Sequence, residues 1–545
     1  MKNKKRIIAI AVALTMSLAL LAACGPSGGT GGTGTGTTPG GSTGTTPGGG
    51  TGGGAVPVPP APDARLADLV DIIKMSSIGA LDPFVPGGSN APAFWAYNMY
   101  QDSLLTYIGP GEVGPQLATR WETDDYKTWT FWLRDDVYFH NGDKFTAADV
   151  LFTIELSQES TGFTRSLWGQ VDTAEALDPY TVRLVLEDVN VDFEFVTLIH
   201  PAAGFFSERA MNEDIATFTY VGTGPFSVTN FVSGDHVVLD RFDDYWGEKP
   251  PTQTVVLRFV PEPSARTIML INHESHICAD VVPEDLPMFA DHPEFTITSQ
   301  VMNNPFFLAF NMAHPVVSDI NFRMAMAHAI NSEDIAPYAR GAEGAPETTG
   351  TFWGQAMEFK NNDIPLKAFN LELAQQYLDN SVYNGEALEI IATHAHNVRA
   401  AEMVEQQLSR IGVNIVVRQM DNAGLLTMVA NPGATHVMVI HTSSITSVAS
   451  DMRTLLHSTA PNNRAGYINP EIDRLLELAS TQLNRTEREG TYRLIQELLA
   501  EDIPYLSLYK WTMNWVHLNG IGGMRIVADN ALQCYRGVYL NLDVD

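Results

Sequence analysis

The stretch between residues 25 and 62 sets the outer limit on any fold. It carries no charged residue and no apolar periodicity, only Gly, Thr, Ser and Pro with a few Ala and Val near its end. A segment of that composition has no face to bury and is expected to stay disordered. A Gly-rich coil of this length spans on the order of 35 Å root-mean-square, from about 5–6 Å per square root of residue number. It reads as a tether. GTGGTG at 29–34 and GGSTG at 40–44 fit the strings of a dinucleotide loop and a nucleophile elbow. Neither follows a strand or opens a helix, so both are products of composition. What remains to fold is 65–545, enough for about three domains.

Ahead of the tether, Lys2, Lys4, Lys5 and Arg6 precede a charge-free, mostly aliphatic run at 7–23. That is the layout of a signal peptide, too short and wrongly flanked for a membrane span. LAAC at 21–24 then resembles the bacterial lipoprotein box. The resemblance implies that Cys24 receives diacylglycerol and becomes the mature N-terminus. The protein would sit outside the cytoplasmic membrane, or in the periplasm of a Gram-negative cell. The other reading is a plain secretory signal in which Cys24 is incidental. Lipid supplies about 0.8 kcal/mol per buried CH₂, so two or more chains anchor stably.

The formal charge of −30 disfavours nucleic acid and anionic membrane surfaces as partners. Besides Cys24 there are only Cys278 and Cys534. Two thiols build neither a disulfide framework nor a Cys-rich metal site. They are read as buried and free, with a single disulfide left open. No cofactor is expected.

Local patterns in the body point to α/β structure. Trp129, Phe131 and Leu133 alternate with polar or outward residues, as in a half-buried strand. Asn141-Gly142 is a turn signal. Thr146 with Asp149 forms a capping box, and Val150, Leu151 and Ile154 give the helix behind it an apolar face. Residues 387–393 read as a strand and 398–411 as a helix with Ala401, Val404, Leu408 and Ile411 on one side. Gly412 stands at the helix C-terminal position, and Val413, Ile415 and Val417 alternate as the next strand. Asn469-Pro470 opens another helix, and Thr486 with Glu489 suggests a second capping box. Strands alternating with helices predict largely parallel sheets.

The piece at 117–156 is similar to the signature of the family 5 bacterial solute-binding proteins, the peptide/nickel-type receptors of ABC importers. The residues that carry it are Leu133, Arg134, Phe139, Asn141, Gly142, Phe145, Thr146, Ala147, Asp149 and Val150. Further matches follow in order: GTGPFSV at 222–228, DDYWGEKP at 243–250, and the stretches at 261–286, 304–331 and 466–479. The resemblance implies an α/β, two-lobed periplasmic-binding-protein-like fold of type II, cluster C, with an extra inserted domain and a hinge between lobes. It assigns 65–104, 219–304 and 502–545 to lobe I, 105–218 to the insertion, and 305–501 to lobe II.

Several residue groups are candidates for the site. His394 and His396 lie where a strand gives way to a helix, the place where α/β sheets bind ligands. In oligopeptide-binding relatives this loop offers a histidine to the ligand, and counting back from Gly412 makes His396 its match. The pair also stands at metal-ligand spacing, a weak signal without nearby carboxylates or thiols. Arg399, in the helix's first turn, also reads as an ordinary surface charge. Peptide-binding members usually place an aspartate after the strand that ends near His441, to pair with the α-ammonium. This chain has Ser443 and Ser444 there. With His441 they suit a neutral polar ligand, unless a shifted loop hides the anchor. Trp95 follows Asp82-Pro83 in a segment that skirts the cleft in relatives. Tyr509 and Trp511 lie on the returning strand near the hinge. Aromatics line ligand pockets and cores alike. His273-Glu274-Ser275-His276 misses the zincin spacing by one residue and reads as a solvated polar loop.

The resemblance implies capture of a small solute, an oligopeptide first, and its delivery to ABC permease subunits, without catalysis. An oligosaccharide or a metal chelate on the same fold is the alternative. An exported hydrolase would need a nucleophile elbow or metal triad in the folded body, where neither is found.

Overall fold

The computed structural model describes residues 65–544, except 75–77, 87, 89, 110–111, 342–343, 352, 355–356, 422–423, 426–427, 429–436, 443–447, 461–462 and 529–534. The expectations for the signal, for Cys24, for the tether, for Ser443 and Ser444, and for Cys534 fall outside these residues.

One large mixed sheet organises the body. Its lobe II half runs in the order Ile415–Gln419, Leu388–Ala392, Met438–Thr442, all parallel. Two long antiparallel strands follow, Phe295–Phe310 and Tyr505–Leu518. The lobe I half continues with Ile277–Ala279, Leu69–Lys74 and Thr254–Phe259, parallel to one another, and ends in the antiparallel His236–Arg241 and Phe226–Val232. The sheet is therefore less parallel than the helix–strand alternation predicts. Parallel pairs occur where a helix crosses over, and antiparallel ones where the chain returns by a tight turn or passes between lobes.

The two long strands are the covalent link between the lobes. At 14 residues, Tyr505–Leu518 spans about 45 Å. One end is packed in the first core with Met302, Met513 and Trp515. The other enters the second with Phe306, Leu508 and Tyr509. Between them the pairing breaks register, from Val301 to Pro305 and again from Phe306 to Phe307. Pro305 has no N–H to give the ladder, which is the local cause of a break there.

The first core also extends through residues 105–218. Trp129 and Phe131 from a four-stranded antiparallel sheet join Val70 and Ile72 in one apolar cluster. Thr128–Leu133 buries alternate residues as its pattern requires. Thr146 and Asp149 form the capping box of Ala147–Glu159, and Gly142 takes φ +84° in the turn before it. Gly412 adopts φ +78° after Ala395–Ser409. One cap differs: Asn484, not Thr486, starts the helix Arg485–Asp502, because its side chain accepts from the N–H groups of Thr486 and Glu487. The His273–His276 run follows the helix Pro263–Ile271 and is more than a solvated loop. Ser275 is buried, and His276 Nδ1 accepts from the Asp71 N–H at 2.9 Å. Cys278 is buried and unpaired, and burial pushes its thiol up to about 12.

Candidate ligand cleft

Strand direction locates the site. Moving forward along Ile277–Ala279, the partners on the second connecting strand are His517, Val516 and then Trp515. Moving forward along Met438–Thr442, the partners on the first connecting strand run from Phe310 to Phe306, which lies opposite Tyr509. Both lobes thus aim the carboxyl ends of their parallel strands at the middle of the connecting pair. Trp511 sits in that interval, packed against both cores. Ligands of α/β sheets bind outside strand carboxyl ends, and here two sets of ends converge.

On the lobe II side, Leu388–Ala392 leads into His394, the N-cap of Ala395–Ser409. The His394 and His396 rings stack at 5.5 Å, and His396 meets the Phe306 ring edge-on at 5.4 Å. Phe306 stacks flat on Tyr509 at 4.5 Å. Arg340, the last residue of the helix Ser332–Arg340, lies over Phe306 at 4.9 Å and over Trp511 at 5.1 Å. It donates from Nη2 to His396 Nε2 at 3.2 Å. Arg399 donates twice to the carbonyl of Ala339, at 2.9 and 2.6 Å, tying the two helices together.

The arginine bond dictates the state of His396. Guanidinium has no acceptor, so Nε2 must hold a lone pair and the proton sits on Nδ1. Burial, then Arg340, His394 and Arg399, push His396 from its ordinary 6.5 down to about 3. The unfolded chain takes up that proton first, so the stability from a neutral His396 is present above pH 6.5 and lost as the pH falls towards 3. An imidazole ¹⁵N–¹H spectrum is expected to show the neutral Nδ1–H form of His396 still intact at pH 5. A protonated ring at pH 6 would refute the arrangement.

On the opposite face of the same strand, Lys510 is held by Glu347. Lys510 Nζ lies 2.5 Å from Glu347 Oε1, with side chains 3% and 0% exposed. Ser507 Oγ donates to Glu347 Oε2 at 2.5 Å. A buried pair with both oxygens engaged fixes the strand that carries Tyr509 and Trp511.

On the lobe I side, Leu69–Lys74 ends in Lys74, and Asp280 follows Ile277–Ala279. The two form an ion pair at 3.3 Å. Lys74 Nζ also lies 3.3 Å over the ring of Trp95. Burial lowers the Lys74 pKa despite Asp280. Trp95 is 1% exposed and packs on Tyr535 at 5.1 Å. It therefore stands beneath the Lys74–Asp280 pair.

Of the candidates from sequence, His394, His396, Tyr509 and Trp511 come together in one cluster. Trp95 belongs to the lobe I core beside the strand ends. His441 lies on Met438–Thr442 with its backbone opposite Phe307. Phe306, Arg340, Lys74 and Asp280 were not anticipated. Lys74 closes an apolar run and carries a legible signal; Arg340 ends a polar helix and carries none. Among the described residues, no group of three or more His, Cys, Asp or Glu is placed to hold a metal ion.

A model of the bacterial extracellular solute-binding proteins, family 5, middle region, matches residues 112–463. The chain belongs to that family. The probable ABC transporter periplasmic-binding protein SapA of Escherichia coli K12 is 25% identical over 435 residues, covering 72% of this chain and 78% of SapA. The nickel-binding periplasmic protein of the same strain is 23% identical over 469 residues, covering 79% and 87%. The structure of the periplasmic binding protein DppA from Helicobacter pylori in complex with the peptide STSA superposes with a TM-score of 0.71 at 23% identity, covering 88% of this chain and 99% of DppA. The two-lobed α/β body is thus the fold of the family 5 solute-binding proteins.

Proposed function

We propose that the protein is the solute-capturing component of an ABC importer. Lipid on Cys24 holds it outside the membrane, and the two lobes close on a peptide-like solute that is then passed to the permease. The observation that carries this reading is the convergence of strand ends from both lobes on Trp511. His394, His396, Tyr509 and Trp511 form the lobe II wall, and His441 on the neighbouring strand, with Ser443 and Ser444 next in sequence, completes the ligand-binding set on that side. Trp95 supports the lobe I wall from beneath Lys74. Closure bends the connecting strands at the register break near Pro305, and a solute favours it by binding the closed state better than the open one. SapA and DppA, by their names and the bound STSA, support the transporter role and the peptide class. No step of this cycle calls for a nucleophile or a metal.

A thermal-shift screen tests the reading. The panel holds peptides with free and acetylated N-termini, oligosaccharides, and nickel with and without a chelator. A ligand at a hundred times its dissociation constant stabilises by about 2.7 kcal/mol. A peptide is expected to raise the melting temperature and to reduce the radius of gyration in solution scattering. Stabilisation by sugars or nickel chelate alone would replace the solute class. No response to any of them would remove the reading.

A further inference from the structure

Lobe II contains a second concavity. It has a volume of about 350 Å³ and shares no lining residue with the cluster around Trp511. Leu366, Phe369, Leu499 and Ile503 give it apolar walls, and Thr349, Glu347 and Ser507 lie among its polar residues. That volume falls within the range of pockets that hold small organic ligands, about 300–1,000 Å³.

Three observations say what would fit. Leu366 and Phe369 are 42% and 43% exposed, large apolar groups left in water at the pocket. The Thr349 hydroxyl is buried without a hydrogen-bond partner among the described residues, on a side chain 7% exposed. A buried hydroxyl of that kind is costly to leave unmade. Third, the one buried carboxylate is already neutralised, since Lys510 and Ser507 occupy the two Glu347 oxygens. The other charged residues of the lining, Glu333 and Lys367, are of opposite sign and reached by solvent. Neither gives a charged guest a desolvated counterion, whereas a neutral one covers the apolar rim and meets uncharged polar groups inside.

We propose that this pocket is a small-molecule site separate from the interlobe cleft, and that it takes a neutral amphipathic molecule with an apolar body and one hydroxyl or amide head. Its occupant touches the lobe II end of the strand that bears Tyr509 and Trp511, since Tyr505, Leu506 and Ser507 line the pocket. The proposal does not depend on the transport reading.

The test uses the full-length protein and ligand-observed NMR with benzamide and cyclohexanol as neutral probes. Benzoate and benzylammonium are the charged counterparts. The neutral probes are expected to bind saturably, with the charged ones at least tenfold weaker. A Leu366→Ala/Phe369→Ala protein should lose at least fivefold in affinity; both side chains are surface-exposed, so the fold is retained. Thr349→Val should weaken benzamide by a similar factor. The inference is overturned by unsaturable binding, by charged probes binding as well as neutral ones, or by full affinity in the rim variant.

Discussion

The Trp511→Ala protein is expected to bind its solute about 30- to 1,000-fold more weakly than the native chain, the loss typical of a central aromatic anchor worth about 2–4 kcal/mol. The indole stands in the interval on which both sets of parallel strands converge, and it packs against the cores of both lobes. Its face carries the Arg340 guanidinium at 5.1 Å. Removing the ring therefore takes away a contact surface and also the platform that keeps Arg340 against His396. Isothermal titration of native protein, Trp511→Ala and Trp511→Phe measures the effect. Trp511→Phe should recover most of the affinity, because a ring remains under the guanidinium. Equal affinities in all three would place the solute elsewhere.

Replacing Asp102 by Ala should cost about 3–5 kcal/mol, the range for removing one partner of a buried ion pair. At about 2–4 °C per kcal/mol for larger domains, the melting temperature should fall by roughly 6 °C or more. Asp102 is fully buried. Its carboxylate accepts from Arg536 Nη1 at 2.5 Å, Gln116 Nε2 at 2.6 Å and Trp246 Nε1 at 2.9 Å. Arg536 also donates to the carbonyls of Asn98 and Gln101. One carboxylate thus joins the end of the helix Ala91–Tyr100, the segment after residue 105, the Tyr245-Trp246 stretch and the C-terminal segment. Without it, a buried amide and a half-buried indole N–H are left short of an acceptor, and a half-buried guanidinium loses its counterion. Differential scanning calorimetry reads the loss. Asp102→Asn should be milder, since the amide oxygen still accepts while the charge pairing is gone. A shift below about 2 °C for Asp102→Ala would mean that water or a neighbour replaces the carboxylate.

The same network explains a motif. DDYWGEKP is part of the family resemblance, and nothing local says why a tryptophan stands there. In the fold, Trp246 spends its N–H on Asp102 and its ring beneath Arg134, 4.2 Å away. It ties the segment that holds Asp102 to the one that holds Arg134. The lobe II cluster has the converse history. His394 and His396 were legible as candidates because they sit between a strand and a helix, a position that topology alone marks out. Phe306 and Arg340 were not, because an aromatic in an apolar strand and an arginine at a helix end are common in any α/β protein.

What the sequence determined by itself lies within a few residues along the chain. Asp149 caps its own helix, Gly142 and Gly412 take left-handed conformations that other residues resist, and Trp129 and Phe131 turn inward by strand alternation. These follow from backbone sterics and hydrogen bonds between near neighbours, so local spacing encodes them. Even the family match reads such local strings in order. Strand direction, the convergence on Trp511 and the Asp102–Arg536 pair, 434 residues apart, were decided only by the tertiary structure. Each depends on loops closing over long separations before any contact is made, and no periodicity along the chain records which distant partner completes it.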